Sequence, residues 1–418
     1  MKFGLFYEHQ LPRPYDQDQW DEDAEHRLFK NALEQIELAD QLGFDYVFEV
    51  EHHFLEEYAH STAPEVFLAA ASQRTKRMRL GHGITLMPPR YNHPARVAER
   101  IATLDLVSDG RVEFGTGESA SEMEMGGFGV AREEKKLMWE EATRQCVRMM
   151  TETPYGGYEG AYFGMPERNV IPKPLQKPHP PLWVASSRRE TTMVAARLGM
   201  GSLGFAFETP EEAQERVEQY FQLVREECTP IGAAINPALA VLSSLMCCPT
   251  DEEALAKGVE GTEFFSYSLA YYYAPITGAA HQPGRTNIYR RFKDTPDDER
   301  MAMFGLRRRL GGFGAGGGDS EEEPEDEVQR ALWRAAKRGG CIGTPEFVRD
   351  TLRKYEAAHL DTMIFVAQSG ARKHEDVMDS LYRFGKEVLP EFADRHEQHQ
   401  KWRDQQLAGV EYPVNSSI

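Results

Sequence analysis

Three ionisable side chains, Glu51, His52 and His53, follow one another directly after an apolar run that ends at Val50. Burying charged groups at the end of a strand costs free energy unless they are paired or used. A histidine beside a carboxylate can have a shifted pKa and take part in proton transfer. We therefore predict that His52 and Glu51 are catalytic. The alternative is a rim histidine that only satisfies its own hydrogen bonds.

The same cluster does not predict a metal site. Neighbouring side chains of an extended segment point to opposite sides, so one ion would rarely reach both His52 and His53. A metal-dependent barrel hydrolase would also need a late acidic ligand, and Asp361 stands before the last apolar run rather than after it. We predict no metal.

A second cluster combines hydroxyl groups with cations: Ser186, Ser187, Arg188 and Arg189 stand after an apolar run, and Thr191 lies in the helical pattern that follows. Free N–H groups at a helix N-terminus, hydroxyls and guanidinium groups all bind anions. We predict a phosphate site here. The alternative is an N-capping serine with surface arginines.

Two further strand ends carry small residues. Glycines on both sides of His82 predict a bulge or a close backbone approach around Gly83 and Ile84, suited to a flat aromatic ring. Thr116 and Ser119 lie at the end of a later strand and are predicted to contact the same ligand. Packing glycines and an ordinary turn remain alternatives.

The elements that must position these residues alternate between short apolar strands and longer helices. Such alternation indicates parallel strands covered by helices, and about eight units favour a closed (β/α)8 TIM barrel. An open doubly wound sheet would need a glycine-rich turn after the first strand, which residues 8–12 do not provide. The predicted strands are 3–7, 44–50, 79–87, 111–115, 182–185, 202–207, 238–248 and 362–367.

We predict one domain over residues 1–395, with insertions at about 154–181 and 271–338 and a polar, peripheral tail at 396–418. The first insertion has a possible hairpin. Within the second, residues 306–325 pass from glycine-rich to acidic and are either a lid or a plain insertion. Aromatic residues near both insertions indicate an apolar pocket wall or ordinary packing: Tyr155, Tyr158, Tyr162, Phe163 and residues 271–273.

The charge, hydropathy and cysteine content of the chain limit which partners and which compartment it could have. The net charge of −19 disfavours nucleic acid and anionic lipid as partners. No apolar stretch approaches a membrane span, and the first residues do not resemble a signal peptide. Five cysteines without a CxxC spacing indicate reduced thiols in a cytoplasmic protein.

Together these junctions resemble the bacterial-luciferase-like family of flavin-dependent monooxygenases. The similarity covers the chain from Met1 to about Phe392 and rests on the order and spacing of several short motifs. The motifs are Gly43-Phe44-Asp45, Glu51-His52-His53-Phe54, His93-Pro94, Leu104-Asp105, Ser108-Asp109-Gly110-Arg111, Phe114-Gly115, the run from Ala185 to Thr191, and Gly343-Thr344-Pro345.

The resemblance implies a barrel that binds reduced FMN, supplied by a separate flavin reductase. FMN and O2 would form a peroxyflavin, which oxygenates a small organic substrate such as a carbonyl compound. The resemblance places His52 beside that intermediate, a non-proline cis peptide near Gly83 and Ile84 under the flavin ring, and the phosphate at Ser186 and Ser187. It also implies a mobile loop within residues 271–338 and a homodimer.

The chain departs from luciferase itself after the fourth strand. Gly117 and Glu118 stand where luciferase has a reactive cysteine and a phosphate-binding arginine, so the cation must come from elsewhere. Candidates are Arg188, Arg189 and Lys136. The alternatives are an F420-dependent hydride-transfer enzyme of the same barrel family and a non-catalytic flavin-binding protein.

Overall fold

Eight parallel strands form a closed ring in the computed structural model, which describes residues 1–205, 209–273, 287–297, 299–300, 326–337 and 340–418. Each strand pairs with its neighbours in chain order, and the last pairs with the first, because Lys2 lies opposite Thr362. The ring strands are β1 Lys2–Tyr7, β2 Tyr46–Glu49, β3 Arg79–His82, β4 Val112–Gly117, β5 Leu182–Ala185, β6 Gly201–Phe205, β7 Leu239–Cys247 and β8 Thr362–Val366. The predicted barrel is confirmed, and an open sheet is excluded.

Helices follow the strands and cover the outside of the ring. Several begin with proline, which fits the first turn of a helix because its missing N–H would have no partner there. The helices are α1 Ala24–Leu42, α2 Pro64–Ser72, α3 Pro94–Val107, α4 Glu122–Phe128, α5 Lys135–Thr151, α6 Arg189–Arg197, α7 Pro210–Glu226, α8 Asp251–Tyr273, α9 Ile288–Asp294, α10 Glu327–Lys337, α11 Pro345–Ala357, α12 His374–Glu387, α13 Leu389–Asp394 and α14 His396–Gln406.

Both predicted insertions contain regular structure. Tyr158–Glu159 pairs with Gly164–Met165 in an antiparallel hairpin, as predicted for the first insertion. The second contains the end of α8 together with α9 and α10. Just after it, Gly340–Gly343 forms a further parallel strand that pairs with the end of β7 outside the ring. Residues 306–325, the possible lid, lie outside the described residues.

A bulge interrupts the strand after β3. Gly81 lies opposite Glu113 of β4, and pairing resumes in the short strand Thr85–Leu86, with Thr85 opposite Thr116. From Gly81 to Thr85 the chain advances four residues, while its partner β4 advances three, from Glu113 to Thr116. One extra residue on one strand of a pair defines a β-bulge. The predicted bulge at Gly83 and Ile84 is confirmed.

Side chains fill both sides of the barrel wall. Strand residues that alternate outward pack under the helices, as Leu5, Val47 and Phe114 do. Those that alternate inward, such as Phe48 and Trp183, fill the ring interior. The period of two that governs strands therefore separates the two cores.

Residues 413–418 contact the amino end of the barrel, although most of the tail predicted to be peripheral is exposed or half-buried. The ammonium of Lys2 at the start of β1 and the hydroxyl of Tyr46 at the start of β2 both donate to the Ser417 carbonyl, the latter at 3.0 Å. Ile418 packs against the interior cluster. Lys2 and Tyr46 thus hold residues 417–418 in place, in a segment whose composition alone indicates only that it is polar.

Candidate active site

His52 lies at the carboxyl end of the barrel and is buried, with 8% of its surface exposed. Its Nδ1 is 2.9 Å from the Oε1 of Glu124 on α4. The hydroxyl of Tyr273, the last residue of α8, is 3.3 Å from Nδ1 and 3.0 Å from Nε2. Because that hydroxyl is close to both nitrogens, it lies against the ring and not in line with either lone pair.

Glu124 is fully buried, and its carboxylate accepts hydrogen bonds from three donors. Besides His52, the backbone N–H of His53 donates to its Oε1 at 3.0 Å, and the hydroxyl of Ser119 donates to its Oε2 at 2.7 Å. Ser119 has a positive φ of 66°, which turns its side chain towards α4. Three donors therefore fix the positions of both carboxylate oxygens.

Two opposing effects act on His52. Burial by itself would lower the pKa of His52, but the charge and hydrogen bond of Glu124, helped by Glu8 and Glu51, outweigh burial and raise it. At neutral pH the ring therefore favours its cationic form more than a free histidine does.

Glu51 bonds mainly to backbone and amide groups. Its Oε2 accepts the N–H of Leu86 at 2.7 Å, and the amide of Asn92 donates to both its oxygens, at 2.8 and 3.1 Å. Its Oε1 is also 3.1 Å from Nε2 of His53. The adjacent histidines thus contact different carboxylates, His52 that of Glu124 and His53 that of Glu51, as expected for an extended segment.

The bulge residues are buried against glycines of β4. A Cβ at Gly115 would lie 1.9 Å from the His82 carbonyl oxygen, and one at Gly117 would lie 2.6 Å from Cδ1 of Ile84. The expected non-proline cis peptide is not present: the cis bonds among the described residues all precede proline, and the Gly83–Ile84 bond is trans. In this chain the backbone bends after β3 at a bulge with trans peptide bonds.

Exposed donors gather at the start of α6. Ser187 and Arg188 are exposed, and Arg188 occupies the N-cap position with no capping bond from its side chain. Thr191, in the first turn, is half-buried. Ser186 is buried, and its hydroxyl is 3.4 Å from the Val184 carbonyl. Ser187, Arg188 and the free N–H groups of the first turn are therefore the part of the predicted anion site that a ligand can reach.

Lys135, at the start of α5, is a cation that sequence reasoning missed. Its ammonium donates to Oε1 of Glu118 at 3.0 Å and to the Ser119 carbonyl at 2.6 Å. Burial lowers the pKa of Lys135, while the charge and hydrogen bond of Glu118 oppose the change and the charges of Arg132 and Arg188 add to it. Lys135 therefore lies with Glu118 and Ser119 at the same end of the barrel as the start of α6.

Two predicted cofactor residues lie away from this cluster. The Thr116 hydroxyl donates to the Trp183 carbonyl at 3.1 Å and accepts from Trp139 of α5 at 3.0 Å, so it faces the helices. Lys136 is on the exposed side of α5. Arg189 pairs with Glu215 at the surface.

The predicted aromatic wall divides in a similar way. Tyr273 lies against His52, and Tyr58 adds a second ring whose centroid is 5.8 Å from that of His52. Tyr155 is buried beneath α5, where it donates to Gln145 at 2.8 Å. Among the described residues no three side chains form a metal-ligand cluster, and none of the described helices could cross a membrane.

The site thus combines a closed parallel barrel with a buried carboxylate–histidine pair at its carboxyl end. The family model for luciferase-like monooxygenases matches residues 1–362. The chain therefore belongs to the luciferase-like monooxygenase family, and the predicted enzyme class, an oxidoreductase, is confirmed.

Curated relatives agree with this assignment. Identity is 25% to the oxygenase component of flavin-dependent trigonelline monooxygenase from Acinetobacter baylyi, over 94% of this chain and 96% of that protein. It is 28% to limonene 1,2-monooxygenase from Rhodococcus erythropolis, over 70% and 76% respectively. The uncharacterized protein y4wF of Sinorhizobium fredii is 35% identical, but the match covers 48% of this chain and about half, 54%, of that protein.

Solved structures show the same fold. A monooxygenase from Streptomyces bottropensis superposes with a TM-score of 0.70 at 24% identity, over 94% of this chain and all of that one. The oxygenating constituent of 3,6-diketocamphane monooxygenase from Pseudomonas putida, solved with FMN, gives 0.66 at 20% identity, over 93% and 98%. An F420-dependent secondary alcohol dehydrogenase gives 0.62 at 19% identity, over 93% and 98%. Both expected cofactors thus occur among proteins of this fold.

Proposed function

We propose that the protein is the oxygenase component of a two-component monooxygenase, which uses reduced FMN and O2 to oxygenate a small organic substrate, such as a carbonyl compound. The observation that carries the proposal is the set of exposed donors at the start of α6, which lies on the same rim of the barrel as the Lys135–Glu118 pair and His52. The trigonelline relative, named as an oxygenase component, supports a separate flavin reductase as partner.

The chain's donor set suits a flavin mononucleotide. Ser187, Arg188 and the N–H groups of the first turn of α6 would hold a terminal phosphate, with Lys135 as the second cation. The bound flavin would supply electrons for the activation of dioxygen. The protein's part is to hold the ligand, exclude water and place a proton donor, since His52 is buried between the loop after β2, α4 and α8.

Glu118 has a defined part in this arrangement. An acidic residue cannot hold a phosphate dianion, but here its carboxylate binds the ammonium of Lys135 and so fixes where that cation lies. The role expected of an arginine after the fourth strand is thus divided between Lys135 and Arg188, which come from two different helix starts.

Hydride transfer with F420 is the second candidate, favoured by the F420-dependent enzymes that share the fold. F420 carries a long acidic tail, which calls for cations beyond a single phosphate site. The overall charge of −19 opposes such a ligand. Two cations at the rim, Lys135 and Arg188, suit a single terminal phosphate and so favour FMN.

Parallel titrations test the choice of cofactor. Oxidised FMN, reduced FMN, riboflavin and F420 are titrated by fluorescence or anaerobic calorimetry, and we expect reduced FMN to bind at least tenfold more tightly than riboflavin. The protein is then incubated with NADH, FMN and an added flavin reductase, and carbonyl substrates are screened by mass spectrometry for a gain of one oxygen atom from ¹⁸O₂. Tight F420 binding with no ¹⁸O incorporation would overturn the proposal in favour of hydride transfer.

The remaining parts of the proposal have their own checks. A homodimer is expected from the resemblance, and light scattering measures it directly. Cytoplasmic location stays a prediction, which fractionation of the native host would test.

A further inference from the structure

The geometry around His52 fixes which nitrogen carries its proton. Oε1 of Glu124 is 2.9 Å from Nδ1 and also accepts the His53 N–H, while Oε2 accepts the Ser119 hydroxyl. A carboxylate that accepts from a backbone N–H and a hydroxyl acts as an acceptor throughout, so Nδ1 must be the donor. The neutral ring would therefore be the Nδ1–H tautomer.

With Nδ1 committed to Glu124, Nε2 is the nitrogen left for another group. The hydroxyl of Tyr273 lies 3.0 Å from it but 3.3 Å from Nδ1 as well. Since it is not in line with the Nε2 lone pair, this hydroxyl does not occupy the in-plane direction of Nε2, the direction along which a ligand would accept its proton.

We propose that Glu124 is the positioning residue of the site: it holds His52 with its proton on Nδ1, stabilises the imidazolium, and so leaves Nε2–H to donate to an anionic oxygen in the pocket. Ser119 and the backbone of His53 fix the carboxylate, and α4 carries it to the rim. No motif used to recognise the family includes Glu124. The identity of the accepting oxygen rests on the proposed function, whereas the Glu124–His52 pair does not.

The proton count is simple. When Nε2–H passes to an oxygen, one N–H bond breaks, one O–H bond forms, and His52 becomes the neutral Nδ1–H tautomer that Glu124 already holds. Solvent returns the proton before the next turnover. Glu124 keeps its charge throughout, as an orienting carboxylate beside a catalytic histidine generally does.

Several ionisable groups face this ring. Glu124 comes from α4, Tyr273 from α8, Glu51 from the same loop as His52, and Glu8 from the loop after β1. Glu124 is the one hydrogen-bonded to the ring, so its removal should have the largest effect among the carboxylates.

The test is an NMR titration of the ring nitrogens of His52 in the full-length protein, assigned with the variant His52→Asn. Glu124→Gln keeps the shape of the side chain and removes its charge, and should lower the His52 midpoint by about 1–3 pH units while keeping the proton on Nδ1. Glu124→Ala removes the acceptor as well and should give a mixture of tautomers. Glu122→Gln, on the same helix but paired with Arg132 at the surface, is the control.

Turnover supplies the second readout once an oxygenation substrate is found. In Glu124→Gln the alkaline limb of the kcat profile should move to lower pH together with the NMR midpoint, with KM unchanged. Tyr273→Phe should shift the midpoint less than Glu124→Gln does, and Tyr267→Phe on the same helix should not shift it. An unchanged midpoint in Glu124→Gln overturns the inference. A wild-type protein that titrates as expected but incorporates no ¹⁸O overturns the proposed function alone, because the titration needs no cofactor.

Discussion

The carboxylate of Glu51 accepts the backbone N–H of Leu86 at 2.7 Å, and so joins the loop after β2 to the first residues that follow the bulge. The Glu51 N–H in turn donates to the Ile84 carbonyl at 2.9 Å. Two hydrogen bonds of opposite direction thus join the loop that carries His52 to the backbone of the predicted cofactor site.

Replacing Glu51 by alanine should destabilise the protein. The N–H of Leu86 and the amide of Asn92 would each lose a buried acceptor, at a cost of about 1–3 kcal/mol for each group. Urea denaturation measures the loss, and Glu99→Ala, which removes only a surface pair with Arg96, should cost under about 1 kcal/mol. Equal losses in the two variants would show that Glu51 has no special structural part.

Alanine substitutions at two glycines, Gly115 and Gly126, should change stability in opposite directions. Gly115→Ala should unfold or severely destabilise the protein, because the new Cβ would lie 1.9 Å from the backbone oxygen of His82. Gly126 in α4 has nothing within 4 Å of its Cβ position. Gly126→Ala should therefore stabilise by about 0.5–1 kcal/mol through the better helix propensity of alanine. Thermal melts of both variants decide whether the bulge imposes this constraint.

Substitutions at two neighbouring lysines of α5, Lys135 and Lys136, test which of them binds the flavin phosphate. Lys135→Met should weaken FMN binding about tenfold or more, since a charge-assisted hydrogen bond contributes about 1.5–3 kcal/mol, and should leave riboflavin binding unchanged. Lys136→Met, on the exposed side of the same helix, is the matched control. If Lys136→Met weakened FMN binding and Lys135→Met did not, the sequence-based assignment of Lys136 would stand.

Acid stability should depend on His82. Burial lowers the pKa of His82 to about 4, so between that pH and about 6.5 the unfolded chain binds a proton that the folded chain excludes. Stability from this group is full above pH 6.5 and declines as pH falls, by about 1.4 kcal/mol per pH unit. His82→Gln should reduce the loss of unfolding free energy between pH 7 and pH 5 by up to about 2 kcal/mol. His26→Gln, at an exposed histidine, should leave that loss as it is.

The alternation of strands and helices sufficed to predict the barrel, because each strand is a short apolar run between long amphipathic patterns. The bulge was predictable from glycines on both sides of His82. The strand Gly340–Gly343 was not, since four residues, two of them glycine, are too few to show a period. The contacts of the tail with Lys2 and Tyr46 were missed because backbone and hydroxyl groups make them, which hydropathy does not register.

At the site, sequence placed Glu51, His52, Ser119, Ser187 and Arg188 at one end of the barrel, as the structure does. Thr116 was assigned to the ligand side although it shares a strand face with the outward residue Phe114, an error that strand parity could have prevented. Lys135 differs from Lys136 by one helical step, and sequence alone did not fix the phase of α5.

Glu124 escaped prediction, and Tyr273 was predicted only as one of several aromatic residues of a pocket wall, without a link to His52. The short helix α4 is too brief to show an amphipathic period, and Tyr273 is separated from His52 by 221 residues. Contacts over such distances follow from the closed ring and not from any local pattern. A carboxylate partner for His52 could have been sought among the acidic residues that follow the fourth strand, Glu118, Glu122 and Glu124.

The closure of the amino end by residues 413–418 has a kinetic meaning. Lys2 and the Ser417 carbonyl are 415 positions apart, and β1 completes the ring only when β8 arrives. During synthesis, nearly the whole chain must emerge before either contact can form, so the early strands wait with unpaired edges. Loop closure over such a span is slow, and a nascent barrel of this kind is exposed to aggregation or to chaperone capture until β8 and residues 413–418 have left the ribosome.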